Sequence, residues 1–169
     1  MQSLIRALWY ICVLRDGPQQ LPASKFLLQW MIVLHLLLGT LYSLPFSSLA
    51  SSLHHELALL LVSLGFVAIL LLLNRHSERF NQTAAALLGA DVVISGIGLL
   101  LYVVLLLGLD LTSLWESANV LLMIWSYLVA AHVFRHALDS SFALGLLLSF
   151  LLLLSSVLFL LVVQELILV

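Results

Sequence analysis

The sequence predicts an all-α polytopic membrane helical bundle with five transmembrane helices preceded by a short interfacial amphipathic helix. The first supporting observation is the composition, with 64% hydrophobic and 8% charged residues and a mean hydropathy of +1.24. Water-soluble domains carry roughly 25% charged residues. The second is a set of five apolar stretches near the length of about 20 residues that a spanning helix needs. The third is their richness in leucine, a strong helix former, whereas membrane-barrel strands alternate polar and apolar residues.

The predicted spans are joined by short connections, which place sequential helices antiparallel in one integral membrane domain covering residues 1–169. None of these connections is long enough to hold a separate soluble domain. We expect the spans at about residues 26–44, 57–73, 84–107, 114–134 and 142–163.

Residues 1–16 predict the short helix before the first span. Leu4, Leu8 and Cys12 recur at helical spacing, but the segment is too short to cross a bilayer, so we expect it to lie in the inner headgroup region. Pro18 then interrupts the chain before the first span begins. Cys12 is the only cysteine in the sequence, which excludes an intrachain disulfide.

The basic residues predict the orientation of the helices. All six lysines and arginines lie in segments that the span order places on one side of the membrane, and cytoplasmic loops carry an excess of these residues. We therefore expect the amino terminus in the cytoplasm and the carboxyl terminus outside. The basic residues are Arg6, Arg15, Lys25, Arg75, Arg79 and Arg135.

The stretch HVFRHALDS at residues 132–140 brings polar side chains to the predicted end of the fourth span. His132 and His136 lie one helical turn apart, with Arg135 between them. In one interpretation Arg135 anchors the last hairpin at the membrane boundary, and the imidazoles bond to headgroups, water or the final helical carbonyls. In the other, these three residues form a functional polar cluster with Asp91.

Asp91 has two interpretations that depend on where the third span begins. If it begins near Ala84, the carboxylate lies about 10 Å inside the membrane. There it needs a partner or a proton, because a charge at the centre of a span costs at least ~2.5 kcal/mol. If the span covers residues 92–109, Asp91 is a helix cap at the inner interface. Both interpretations allow an ion pair between Asp91 and Arg135.

His35 and Gln29 are candidate buried polar residues in the first span. A neutral imidazole bonded to another helix is one interpretation of His35, and a proton relay, a ligand contact or haem ligation is the other. His54, His55 and Glu56 lack the spacing of a zinc-protease motif, so we expect a solvated helix start there.

Small residues indicate how the helices pack. They let helix backbones approach closely where no hydrophobic force drives association within lipid. Because the third span is rich in them, we expect it to be the central helix. These residues are Gly89, Ala90, Ser95, Gly96 and Gly98.

The segments RDGPQQLPASKFLL, RFNQTAAALLG and WSYLVAAHVFRHAL resemble a group of small inner-membrane proteins of proteobacteria. In layout these proteins look like the Yip family of five-pass membrane proteins. The resemblance implies a non-enzymatic five-span protein of the bacterial inner membrane. Eukaryotic Yip members associate with small GTPases, but their DLYGP type of motif and a long cytoplasmic region are absent from this sequence, so that role is not carried over.

The sequence shows no phosphate-binding loop, no metal-ligand set of reliable spacing and no nucleophile with an evident base. Six basic residues are too few for a nucleic-acid-binding face. We therefore expect a non-catalytic protein without cofactor or metal that acts through helix–helix or lipid contacts, as an accessory subunit, an assembly factor or a membrane organiser. Its expected partners are the bilayer and other membrane subunits or further copies of itself.

Two other functions are compatible with the sequence. The main alternative is a small oligomeric transporter or channel that uses Asp91 and nearby histidines. A haem protein with His35 and His132 as axial ligands is the third hypothesis, and it requires both imidazoles at one depth in the membrane.

Overall fold

The computed structural model describes residues 2–106 and 112–168, and this part of the chain is all-helical, as predicted. Five of its helices are long and apolar enough to cross a membrane, which confirms the five predicted spans. The α-helices of the described residues are α1 (Gln2–Cys12), α2 (Lys25–Ser43), α3 (Leu49–Leu73), α4 (Phe80–Leu106), α5 (Thr112–Ala137) and α6 (Phe142–Leu168), with single-turn 3₁₀ helices at Pro18–Gln20 and Ser77–Arg79.

The helices extend beyond the predicted apolar windows. α3 begins at Leu49 instead of residue 57, because the Ser48 hydroxyl caps it by accepting a hydrogen bond from the Ser51 N–H. α4 begins at Phe80 instead of residue 84, and α5 continues to Ala137 instead of residue 134. The predicted end of the third span at residue 107 lies outside the described residues. Apolar windows mark the part of a helix that favours lipid, whereas backbone bonds and caps decide where the helix starts and stops.

The links between helices define two ends of the bundle. We call the N-side the end that carries residues 13–24, 74–79 and 138–141, and the far side the end that carries residues 44–48. On the N-side, the Arg79 guanidinium binds the Asp139 carboxylate at 2.7 Å and so joins the link before α4 to the link before α6.

α4 is the central helix, as its small residues predict. It contacts α1, α2, α3 and α5, and it buries the whole run of residues 83–90. α6 packs against α5 and α3, and a Cβ added at Gly145 of α6 would collide with the carbonyl oxygen of Ala131 in α5. Most of the large apolar side chains described in α6 are exposed on the outer surface of the bundle, as expected for a lipid-facing helix.

α1 packs against helices of the bundle, chiefly α4 and α5. Leu8 and Cys12 are buried, and Leu8 occupies the space that a side chain at Gly89 of α4 would fill. Gly89 lies nine residues after the start of α4, or about 14 Å along that helix. The indole N–H of Trp125 in α5 donates a hydrogen bond to the Cys12 carbonyl at 2.7 Å. Protein contacts therefore cover the apolar face of α1.

Candidate functional site

A cavity of about 510 Å³ lies within the bundle. All five long helices contribute to its wall, which runs from the middle of the spans toward the far side. Among the described residues that line it there is no lysine or arginine. Its polar lining residues are His35, Tyr42, Ser43, His55, Glu56, Ser63, Asp91, Ser95, Ser126, Tyr127, Ser149 and Ser156.

His35 lies between two carboxylates of this cavity. It is ten residues after the start of α2, or about 15 Å along the helix. Its Nε2 is 3.8 Å from Oε2 of Glu56 in α3, and its Nδ1 is 3.9 Å from Oδ2 of Asp91 in α4. Both distances exceed the ~2.7–3.2 Å of a hydrogen bond, so the three groups form a loose ion-pair cluster. His35 and Glu56 are buried, whereas the Asp91 side chain is 32% exposed.

Asp91 lies in the interior of α4, eleven residues and about 16 Å after Phe80. The interpretation of Asp91 as an interfacial helix cap is therefore wrong, because the helix begins three turns earlier. The hydroxyl of Ser126 in α5 donates a long hydrogen bond of 3.4 Å to Oδ1 of Asp91. A single long hydrogen bond from a neutral hydroxyl does not offset the cost of an ionised carboxylate within a span. The charge of Asp91 must therefore be compensated by His35 or a bound cation, or removed by a proton.

Glu56 is the site residue that the sequence interpretation missed. The expected helix start at residues 54–56 is wrong, because α3 begins at Leu49. The two preceding histidines are exposed, but Glu56 itself is only 7% exposed. Gly39 of α2 makes room for it, because a Cβ there would collide with the Glu56 carboxylate. A signal was available in the sequence: Ser52, Glu56 and Ser63 follow at intervals of four and seven residues, which aligns them on one helix face.

Two polar atoms that line the cavity have no hydrogen-bond partner within the described part of the chain. They are Nε2 of His35 and Oγ of Ser149 in α6. Both residues are well buried, with 6% and 2% of their surface exposed. Leaving a buried polar group unsatisfied costs about 1–3 kcal/mol. The wall of the cavity therefore carries a cost in unsatisfied polar atoms at His35 and Ser149.

Three aromatic rings line the same cavity, those of Tyr42, Phe46 and Tyr127. The Tyr42 hydroxyl donates to the side-chain oxygen of Asn119, and the Tyr127 hydroxyl donates to the Leu146 carbonyl at 2.7 Å. These bonds engage both hydroxyls and hold the rings in place. The tyrosines therefore present the cavity with ring carbon, which is an apolar and weakly cation-attracting surface.

The structure separates Asp91 from the other three residues of the predicted polar cluster. Ser126, which bonds Asp91, precedes Arg135 by nine residues, so Asp91 and Arg135 lie about 14 Å apart along α5. No ion pair between them is present in the described ranges. The pairing fails because α4 and α5 pack in a register that aligns Asp91 with the middle of α5.

His132 and His136 instead hold the segment that follows α1. Nε2 of His132 donates to the Asp16 carbonyl at 3.1 Å, and the Gln19 side-chain amide donates to the His136 carbonyl at 2.7 Å. The two imidazoles contact each other edge to face, with 4.5 Å between ring centroids. The polar stretch at the end of α5 therefore binds the segment that follows α1. It also forms the last turn of α5, which contains Arg135.

Gln29, expected to be buried, is exposed on the surface of α2. The buried face of this helix contains Leu28, Met31 and His35, which follow at intervals of three and four residues. Gln29 is one residue away from that face, which turns its side chain by about 100°. It takes no part in the cavity.

Cys12 is a packing residue. It is fully buried, and burial raises the pKa of its thiol to about 12 from an ordinary value of 9.0, with a further contribution from the negative charge of Asp91. The thiol is therefore neutral at physiological pH, whereas nucleophiles and metal ligands act as thiolates.

The geometry excludes a tight metal cage at least within the described residues, where no group of three or more histidine, cysteine, aspartate or glutamate side chains is placed to hold a metal ion. No family model, no curated protein and no solved structure matches the chain. The resemblance to the Yip layout therefore stays a prediction.

Proposed function

We propose that this protein is a non-catalytic multi-pass membrane protein that works as a small transporter or channel for a cation, with His35, Glu56 and Asp91 as its binding site. One observation carries the proposal: two carboxylates flank one buried imidazole in a cavity, and the cluster lies near the middle of α2 and α4.

The charge balance of the cluster favours a positive ligand. Two ionised carboxylates leave at least one negative charge uncompensated, even when His35 is protonated. A charge at the centre of a span costs about 2.5–3.5 kcal/mol or more. A proton or another cation that enters the cavity removes this cost, and no lysine or arginine among the described lining residues competes for the position.

The positions of the basic residues support an orientation with the N-side in the cytoplasm. The cavity then faces outward, while α1 and residues 13–24 fill part of the cytoplasmic half. This is an outward-facing arrangement, and passage to the cytoplasm requires the amino-terminal segment to move away from His132 and His136. Five spans seldom enclose a pore alone, so we propose that the protein works as an oligomer.

Reconstitution tests this proposal directly. We would place the purified protein in liposomes that contain a pH-sensitive dye and impose an inside-negative potential with valinomycin and a potassium gradient. Wild-type protein is expected to acidify the lumen faster than empty liposomes. Asp91→Asn and His35→Gln remove the charge or the titrating group with little change in volume, and both should reduce the rate to that of empty liposomes.

The matched control is Glu78→Gln, which removes an N-side carboxylate that is 66% exposed and far from the cavity. It should leave the rate unchanged. Equal rates for wild type and Asp91→Asn, or no flux of protons, sodium, potassium or a small organic ammonium ion in any form, would reject a transport role.

A role through helix contacts alone is the second candidate, and the surface of α6 favours it. Large apolar side chains such as Phe150, Leu154 and Leu158 are exposed there and are available to lipid or to another subunit. Purification from mild detergent discriminates the two roles. A stable partner subunit together with a silent flux assay supports the contact role, whereas a chain that emerges alone counts against it.

A further inference from the structure

The size of the cavity points beyond a proton. The cavity volume of about 510 Å³ is far larger than a single water molecule or a bare ion requires. Pockets for small organic ligands have volumes of about 300–1,000 Å³. The space around the cluster therefore suits an organic molecule, whereas a bare ion would leave most of it to water.

The spacing of the charged groups disfavours a compact metal ion. A calcium ion needs six to eight oxygens at about 2.3–2.6 Å. Here the imidazole of His35 separates the two carboxylates, and one oxygen of each carboxylate lies 3.8 or 3.9 Å from a ring nitrogen. Such an arrangement suits a cation that donates several directed hydrogen bonds and can contact carboxylates on different helices.

The rest of the wall suits an apolar body attached to that cation. Tyr42, Phe46 and Tyr127 contribute ring surface, and the tyrosine hydroxyls are engaged elsewhere. Ring faces attract cations and pack against hydrocarbon. Ser149 and His35 add polar residues to the same wall, although the unpartnered Oγ of Ser149 and Nε2 of His35 are themselves buried.

From this combination we infer that the ligand is a small organic ammonium ion. Its charged end lies at the carboxylates of Glu56 and Asp91 beside His35, and its apolar body lies along the three aromatic rings. The inference deepens the proposed function, on which it rests, by naming the chemical class of the cation. The same chemistry is available from a free amine and from the ethanolamine headgroup of a phospholipid.

The inference is tested by calorimetric titration of the full-length protein in nanodiscs made with phosphatidylglycerol. This lipid has no amine. The probe is phenethylammonium, and 2-phenylethanol is its neutral counterpart of similar size. We expect phenethylammonium to bind saturably. The affinity for 2-phenylethanol should be lower than that for the ammonium by about tenfold or more. This comparison uses wild-type protein, so it does not depend on the folding of a variant.

Variants then assign the site. Asp91→Asn and Glu56→Gln should each weaken the ammonium by about tenfold or more, Phe46→Ala should weaken it less, and the control Glu78→Gln should leave it unchanged. Nanodiscs that also contain phosphatidylethanolamine separate the sources. If phosphatidylethanolamine weakens binding of the probe, the natural ligand is a lipid headgroup. If the affinity for the probe is unchanged, the natural ligand is a free amine. Both results agree with the inference.

Equal binding of the two probes, no binding of the ammonium, or insensitivity to both Asp91→Asn and Glu56→Gln would overturn the inference. The flux assay distinguishes this failure from failure of the proposed function. Proton or sodium flux that depends on Asp91, without any ammonium binding, would retain the cation transporter and reject the organic ligand. Loss of both readouts would reject both.

Discussion

The contact between Trp125 and Cys12 predicts that α1 can be released from the bundle by one substitution. The Trp125 indole donates at 2.7 Å to the Cys12 carbonyl, and phenylalanine at this position cannot donate. Removing the donor leaves the Cys12 carbonyl unsatisfied, which costs about 1–3 kcal/mol. Trp125→Phe should therefore raise the population of undocked α1 roughly 5- to 150-fold.

Cys12 reports on undocking because it is the only cysteine in the chain and is fully buried when α1 is docked. Its pKa of about 12 means that at pH 8 about one docked thiol in 10,000 is ionised, against about one in 10 for a thiol with the ordinary value of 9.0. Alkylation by N-ethylmaleimide therefore proceeds through the undocked state. Its rate measures the docking equilibrium.

We expect the native protein to react much more slowly than the protein unfolded in dodecyl sulfate, because the fully buried Cys12 thiol reacts only when α1 undocks. Trp125→Phe should react faster than wild type by the same factor as the increase in the undocked population. The matched control is Trp30→Phe, which alters an exposed tryptophan of α2 and should leave the rate unchanged. Equal rates in native and unfolded protein, or no acceleration in Trp125→Phe, would refute the docked position of α1.

Two further predictions concern packing. Gly145→Ala should destabilise the protein in titrations with dodecyl sulfate, because the added Cβ meets the Ala131 carbonyl, whereas Gly65→Ala at an open position should be neutral or stabilising by up to about 1 kcal/mol. The opposite order of the two variants would contradict the α5–α6 contact. Arg79→Gln breaks the ion pair with Asp139, but both side chains are partly exposed, so we expect a loss of about 1 kcal/mol or less that shrinks further at high salt. A loss that is larger and insensitive to salt would contradict this.

The prediction of the spans succeeded because transfer into lipid is a local property of the chain. A window of about 20 apolar residues favours the bilayer whatever its neighbours do, so the five spans are read from composition alone. The central position of α4 was also predictable. Gly89 and Gly98 let side chains of neighbouring helices come close to the α4 backbone, whichever helix the neighbour belongs to. The bounds were less accurate, since the cap at Ser48 and the polar start of α3 lie outside the apolar window.

The candidate site was only partly predictable, because it depends on helix register. Asp91 and His35 were identified as intramembrane polar residues, but the expected partner of Asp91 was Arg135. The contacts through Gly39 and Ser126 align Asp91 with His35 and Glu56 instead, and the segment after α1 occupies His132. A shift of one helical turn, about 5.4 Å, would exchange these partners, and no local pattern specifies such a shift.

Hydrophobic length and helix propensity act residue by residue, so the amino-acid order alone is enough to specify a helical chain with five helices long and apolar enough to cross a membrane. Which polar groups meet depends on the packing of those five helices, since hydrogen-bond and ion-pair distances are only a few ångströms. The cavity between the helices, the burial of Glu56 and the docking of α1 belong to this second class. They are properties of the spaces between elements, which are determined by several distant side chains at once.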